Sequence, residues 1–141
     1  MNENEQMMQG IQGARRPTMD ELACRETVPE LWTDKRSPKE GFVCHDYYQI
    51  YEREFAKWRD QPIRILEIGL NVGASIKVWL DYFTQAKVFG VDIEEFHSKV
   101  GELDPARFTF VRGDQSDPEF WQAFIHTHGT RWDIIIDDGC H

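Results

Sequence analysis

The sequence predicts an α/β fold with a doubly wound parallel sheet, preceded by a helical lead-in. From residue 63 onward, short apolar runs alternate with helical patterns, and a glycine-bearing turn follows the first run. Acidic residues also close successive apolar runs. Strands that alternate with helices favour a parallel sheet, because neighbouring parallel strands are joined by right-handed crossovers.

Two segments precede this alternation. Residues 1–28 are expected to form a flexible or short-helical arm, in which the residues from Thr18 to Glu21 can cap a short helix. Residues 29–62 form the lead-in, and its helix is predicted to follow Asp46 and to end before Pro62. The apolar face of that helix recurs at helical spacing and comprises Tyr47, Ile50, Tyr51, Phe55 and Trp58.

Residues 63–141 are predicted to form part of a larger α/β domain, truncated after its fourth strand. The fourth apolar run is rich enough in isoleucine for a strand that is buried on both faces. Asp117 followed by Pro118 is typical of a helix start. The predicted strands are 64–68, 87–92, 107–112 and 132–137, and the predicted helices are 74–82, 94–103 and 118–129.

Composition excludes several classes of partner. The net charge is −9, and the 16 basic residues are scattered, which disfavours nucleic acid. No apolar stretch reaches the roughly 18 residues of a membrane helix. The polar N-terminus lacks the apolar core of a signal peptide, and the cysteines Cys24, Cys44 and Cys140 form no disulfide pattern. We therefore expect a cytoplasmic protein.

The turn after the first strand, LEIGLNVGAS, indicates a ligand site. Gly69 and Gly73 permit a tight turn and close approach of the backbone to a ligand. A dinucleotide fingerprint has a glycine where Asn71 stands, and its last glycine comes one residue later. Glu67 would repel a pyrophosphate but suits the cationic S-adenosylmethionine. Ser75, in the following helix, is a candidate for the same site.

The next two strand ends supply further polar groups. Asp92 closes the second strand, where an acidic side chain can accept hydrogen bonds from ribose hydroxyls. Asp114 closes the third strand and can accept from an adenine amino group, with Gln115 beside it. Each aspartate could instead cap a local turn. Acidic residues at three consecutive strand ends are nevertheless much less expected by accident than any one of them.

The fourth strand ends in Asp137, Asp138, Gly139, Cys140 and His141. Hard carboxylate oxygens suit Mg²⁺, which usually retains several waters. The imidazole of His141 has an ordinary pKa near neutrality, so it can take a proton from a hydroxyl. The carboxylates can equally well cap the turn, and the residues alone leave both interpretations open.

The segments LEIGLNVGAS, VFGVDI, VRGDQSD and WDIIIDDGCH together resemble class I methyltransferases, which have a Rossmann-like fold. More narrowly, they resemble the metal-dependent O-methyltransferases that modify sugar hydroxyls of macrolides and related natural products. The resemblance covers residues 33–141. It implies roles for residues around the methionine (Glu67, Gly69, Gly73), the ribose (Asp92) and the adenine (Asp114, Gln115), and for a metal ligand (Asp138) and a general base (His141). Asn71, Ser75 and Asp137 are further candidate cofactor ligands.

The predicted function is therefore methyl transfer from S-adenosylmethionine to a hydroxyl of a small molecule or sugar, with a divalent metal. The family's sheet is larger than four strands, so we expect this chain alone to lack activity. We also expect a homo-oligomer or a partner that completes the sheet. The alternatives are a non-catalytic, methyltransferase-like interaction module and a nicotinamide-dependent oxidoreductase; Glu67 and the glycine spacing count against the latter.

Overall fold

The structure is a computed structural model that describes residues 15–25, 45–70, 73–98 and 100–139. Its centre is a sheet of four parallel strands in the order β3-β2-β1-β4. This order confirms the predicted α/β fold. The strands are β1 (Arg64–Ile68), β2 (Lys87–Asp92), β3 (Phe108–Arg112) and β4 (Ile134–Asp137).

Helices cover both faces of the sheet. The first three pack on one face and the fourth packs on the other, as the two apolar clusters of the core show. Alternating residues of one strand serve the two clusters, so that Ile65 faces the first and Leu66 the second. The helices are α1 (Met19–Arg25), α2 (His45–Phe55), α3 (Ala74–Tyr82) and α4 (Pro118–His128), and a 3₁₀ turn (Ala56–Trp58) follows α2.

The short helix α1 is held at its start by a reciprocal cap. The Glu21 N–H donates to the Thr18 hydroxyl at 3.1 Å, and the Thr18 N–H donates to the Glu21 carboxylate at 2.9 Å. Met19 and Leu22 are buried in the main core against α2 and α3. This end of the predicted arm is thus a packed helix, while the division of the chain at residues 28 and 62 stays a prediction.

One predicted helix is wrong. Within 94–103 the described residues form bends and irregular backbone. Local hydrogen bonds replace the helical pattern: the Glu94 N–H donates to Asp92, and the Ser98 hydroxyl accepts from the Val100 N–H and donates to the Gly101 carbonyl. Short polar side chains compete with helix formation in this way. The segment still packs, because the Phe96 ring contacts two aromatic rings of β3.

The prediction that the fourth strand is buried on both faces is also wrong. Ile134 is buried in the first core cluster, but the side chain of Ile135 on the opposite face is 58% exposed. Within the described residues β4 pairs only with β1, so it lies at an edge of the sheet. Among the described helices, none has the length and apolar character needed to cross a membrane.

Candidate cofactor-binding site

A cavity of about 710 Å³ lies at the carboxyl ends of the four strands. This is the edge at which doubly wound sheets bind ligands. Every strand end contributes to its wall, together with α2 and the start of α3. The lining residues are Tyr48, Ile68, Gly69, Leu70, Ala74, Ser75, Val91, Asp92, Ile93, Gly113, Asp114, Gln115, Asp138 and Gly139.

Gly69 gives the turn after β1 its shape. Its φ of +85° is in the left-handed region that favours glycine, and its N–H donates to the Val91 carbonyl at 2.8 Å. A Cβ at this position would lie 2.7 Å from the Asp138 carbonyl oxygen. Only glycine therefore lets the ends of β1 and β4 approach so closely at the cavity.

Gly73 has a different role, because it does not line the cavity. It is the N-cap of α3 with a φ of +87°, and a Cβ there would lie 2.7 Å from the Phe96 ring. Ser75 does line the cavity, as the second residue of the helix. Asn71, the third candidate of this turn, lies outside the described residues.

Asp92 joins two loops at the cavity wall. One carboxylate oxygen accepts the Leu70 N–H at 2.8 Å, and the other accepts the Glu94 N–H at 3.1 Å. Each carboxylate oxygen has two lone pairs, so the side chain can accept further hydrogen bonds from a ligand. The structure thus fixes the orientation of the acidic group that the sequence predicted for the ribose.

The turn after β3 places Asp114 and Gln115 in the cavity wall. Asp114 accepts hydrogen bonds from the N–H of Ser116 at 2.8 Å and from its hydroxyl at 2.7 Å. These bonds lower the pKa of the Asp114 carboxyl, which is therefore ionised at neutral pH. Gln115 lies close to Gly139, where an added Cβ would fall 2.3 Å from its amide oxygen.

Glu67 is in the interior and does not line the cavity. Its side chain is 2% exposed, and its two oxygens accept from the Ser75 hydroxyl at 2.6 Å and from the Trp79 indole N–H at 2.7 Å. Burial raises the pKa of the carboxyl to about 7, against these two hydrogen bonds, which lower it. Contact with the methionine part of a cofactor stays a prediction; Ser75 links the carboxylate to the wall.

The end of β4 contributes one of its two adjacent carboxylates. Asp138 lines the cavity, and its N–H donates to the Ile68 carbonyl at 2.8 Å. Asp137 does not line the cavity, and its carboxylate accepts the Gly139 N–H at 3.2 Å. His141 lies outside the described residues. Within the described ranges, no group of three histidine, cysteine or acidic side chains is arranged to hold a metal ion.

Sequence reasoning missed part of the wall. Tyr48 was left out of the predicted apolar face of the lead-in helix, which included Tyr47 and Ile50; in the structure Tyr48 lines the cavity, while Tyr47 and Ile50 are exposed. Ile93, which directly follows Asp92, is more than half exposed at the cavity, an unusual place for isoleucine. Gly113 is required because a Cβ there would lie 2.1 Å from the Phe120 ring, and its place before Asp114 could have indicated a tight turn.

The charged side chains among the described residues of the cavity wall are all acidic. Asp92, Asp114 and Asp138 supply carboxylates, and no lysine or arginine occurs among the described residues that line the cavity. Such a wall attracts a cation and disfavours a pyrophosphate, because like charges in a cleft repel. The geometry thus suits a ligand that combines polar hydroxyl and amino groups with a positive charge.

Known proteins are similar to this chain in sequence and in fold. No protein-family model matches the chain. Mycinamicin VI 2''-O-methyltransferase from Micromonospora griseorubida is 35% identical over 136 residues, 92% of this chain and 30% of that protein. L-olivosyl-oleandolide 3-O-methyltransferase from Streptomyces antibioticus is 39% identical over 132 residues, 89% of this chain and 30% of that protein. The chain thus spans about a third of the length of these curated relatives.

Solved structures agree with the sequence matches. The MycE methyltransferase from the mycinamycin biosynthetic pathway, in complex with Mg and SAH, has a TM-score of 0.68 and 34% identity over 92% of this chain and 33% of its own. Another MycE structure, with Mg, SAH and mycinamycin VI, has a TM-score of 0.68 and 28% identity over 100% of this chain and 41% of its own. By sequence and by fold, the chain is homologous to part of the macrolide and sugar O-methyltransferases, as its motifs predict.

Proposed function

We propose that this chain supplies the S-adenosylmethionine site of an O-methyltransferase that acts on a sugar hydroxyl of a small-molecule natural product. The observation that carries the proposal is the acidic cavity at the ends of four parallel strands. The relatives, which include methyltransferases for glycosylated macrolides and for tetracenomycins, support the reaction and the acceptor class.

The described residues fit the cofactor. Pockets for ligands of this size measure roughly 300–1,000 Å³, and this cavity of about 710 Å³ lies within that range. Asp92 would accept from the ribose hydroxyls, and Asp114 with Gln115 would hold the adenine. The methionine part would lie along Gly69 and Ser75, with Gly73 at the start of α3 and Glu67 bonded to Ser75. Asn71 and Asp137 remain proposed contacts of the cofactor.

A divalent metal is part of the proposal through Asp138. Mg²⁺ is commonly held by one or two carboxylates together with waters and substrate oxygens, so a carboxylate in the cavity wall fits as one ligand. The MycE methyltransferase binds Mg in both structures described above, which supports this choice. The metal would supply a positive charge that orients an acceptor hydroxyl and makes it more acidic.

The reaction needs positioning and one proton transfer. The cofactor supplies a methyl group that its cationic sulfur already activates. Residues that follow β2 and β3 would hold the adenosyl part, so that the methyl-bearing end would face the ends of β1 and β4. We assign to His141, three residues beyond Asp138, the role of the base that takes the proton of the acceptor hydroxyl.

Calorimetric titration tests the cofactor assignment. The chain should bind S-adenosylmethionine and S-adenosylhomocysteine and should not bind NAD⁺. Asp92→Asn should weaken both by about 10- to 100-fold, because hydrogen bonds to a charged group are worth roughly 1.5–3 kcal/mol. Glu102→Gln, an exposed residue away from the cavity, is the matched control and should change neither affinity. Preference for NAD⁺ would support the oxidoreductase instead.

The expected partners and location also belong to the proposal. Within the described residues β4 pairs only with β1, and its free edge supports a second copy or another polypeptide that extends the sheet. Binding of the cofactor without turnover in any assembly would favour the non-catalytic interaction module. A cytoplasmic location is also part of the proposal and is supported by the cysteines Cys24, Cys44 and Cys140, which form no disulfide pattern.

A further inference from the structure

Tyr48 lies at the cavity but belongs to none of the strand ends. It comes from α2, in the segment before the sheet, and its side chain is half-buried. Of the described residues that line the cavity, it is the one aromatic side chain. The rest of that wall consists of backbone, aliphatic, hydroxyl, amide and carboxylate groups.

An aromatic platform, formed by Trp79 and Tyr51, fixes the position of the Tyr48 ring. The ring lies 5.7 Å from the Trp79 ring and 6.2 Å from the Tyr51 ring, and Tyr51 packs edge-on against Trp79 at 5.6 Å. Trp79 is 2% exposed, and its indole N–H is held by the Glu67 carboxylate. Aromatic contacts of this geometry are favourable, so α2 is held against the cavity by a rigid group.

The platform lies toward one end of the cavity. The strand order puts the carboxylates that follow β2 and β3 at one end of the cavity and Asp138, which follows β4, at the other. Glu67 lies in the interior on β1, the strand that pairs with β4. The Tyr48 ring lies 5.7 Å from the Trp79 ring, and the Trp79 indole N–H donates to Glu67 of β1 at 2.7 Å. Tyr51 and its neighbour Tyr48 therefore lie by the β1 and β4 end.

The positive charge of the cofactor can interact with the Tyr48 ring. In the proposed function, on which this inference rests, the adenosyl part faces Asp92 and Asp114. The sulfonium then lies at the opposite end of the cavity. The face of an aromatic ring attracts a nearby cation through its quadrupole. Methyl transfer turns the sulfonium into a neutral thioether, so the product lacks this attraction.

We propose that Tyr48 packs against the sulfonium end of S-adenosylmethionine and makes the site prefer the cationic methyl donor to the neutral product. The residue is a specificity determinant for the charge state of the cofactor. The contribution of Tyr48 to cofactor affinity is greatest before methyl transfer and smaller afterwards. This difference favours release of S-adenosylhomocysteine.

The test compares the two affinities in the same variants by calorimetry. Tyr48→Leu removes the ring and should weaken binding of S-adenosylmethionine by about 3- to 30-fold, the range expected for one cation–π contact. Binding of S-adenosylhomocysteine should change much less. The Kd of S-adenosylhomocysteine divided by the Kd of S-adenosylmethionine should therefore fall. Tyr48→Phe retains the ring face and should keep the wild-type ratio.

Tyr47→Leu is the matched control, because Tyr47 is 69% exposed on the same helix and does not line the cavity. It should leave both affinities unchanged. Circular dichroism checks that each variant is folded, and Tyr48→Met replaces Tyr48→Leu if the latter unfolds. An equal loss of both ligands, or no loss of either, would overturn the inference. A wild-type chain that binds neither ligand would instead contradict the proposed function and remove the basis of this one.

Discussion

Glu67 shows how a single buried group connects the site to the core. Its carboxylate contacts Ser75, which lines the cavity, and Trp79, which supports the lead-in helix. Both partners are neutral donors, so the buried charge is stabilised by hydrogen bonds alone at these two contacts. A buried carboxylate without a cationic partner favours its protonated form.

This makes the stability of the chain depend on pH through Glu67. The carboxyl has an ordinary pKa of 4.5 and a folded pKa of about 7. Between these values the folded chain holds a proton that the unfolded chain has released, so the free energy of unfolding falls as pH rises through this window. Below pH 4.5 both states are protonated, and the penalty disappears.

Glu67→Gln removes this titration. The amide oxygen of glutamine can still accept from the Trp79 indole N–H, and the amide NH₂ can donate to the Ser75 hydroxyl oxygen. Relative to wild type, the variant should gain stability between about pH 4.5 and 7, by up to about 3 kcal/mol. Urea unfolding of both proteins at several pH values measures the difference, in which the other titrating groups cancel. A difference that does not change with pH would show that Glu67 keeps its ordinary pKa in the folded chain.

At the scale of elements, the connection from β1 to α3 depends on backbone that only glycine adopts easily. Gly69 allows the ends of β1 and β4 to meet, and Gly73 begins α3. Gly101 offers a natural comparison, since its φ of +94° is similar but nothing lies within 4 Å of an added Cβ. The two positions separate the cost of the dihedral angle from the cost of close packing.

Gly101→Ala should reduce the free energy of unfolding by about 1–2 kcal/mol, the cost of a left-handed conformation for a residue with a Cβ. Gly69→Ala carries the same cost and also forces apart the backbone at Asp138, so about 2–5 kcal/mol is expected. Urea denaturation gives both values, and calorimetry with S-adenosylhomocysteine should show weaker binding for Gly69→Ala alone. Equal effects of the two variants would mean that the approach of β4 does not matter.

At the scale of the whole molecule, the sequence predicted the sheet better than the loops around it. Apolar runs and turn residues predicted β1, β2 and α3 at their observed bounds, because each is a local pattern that the core reinforces. The pattern of 94–103 was helical, but side-chain hydrogen bonds from Asp92 and Ser98 compete with it. The exposed face of β4 depends on its neighbours in the sheet, which composition does not reveal.

The part of the candidate site that lies at the strand ends was also predictable from local sequence patterns, and the rest was not. Parallel strands bring their carboxyl ends to one edge, so Asp92, Asp114 and Asp138 could be placed together from the sequence. The inward position of Glu67 could not be predicted, because it depends on contacts with Ser75 and Trp79 across the turn. The contribution of α2 to the wall required the tertiary structure.

The central claim is that the cavity binds a cationic adenosyl cofactor at these strand ends. A crystal structure of the chain with S-adenosylhomocysteine tests it most directly. The account predicts the ribose at the Asp92 carboxylate, the adenine between Asp114 and Gln115, and the thioether on the side of Tyr48. A ligand bound at another surface, or one whose adenine lies toward Asp138, would contradict it.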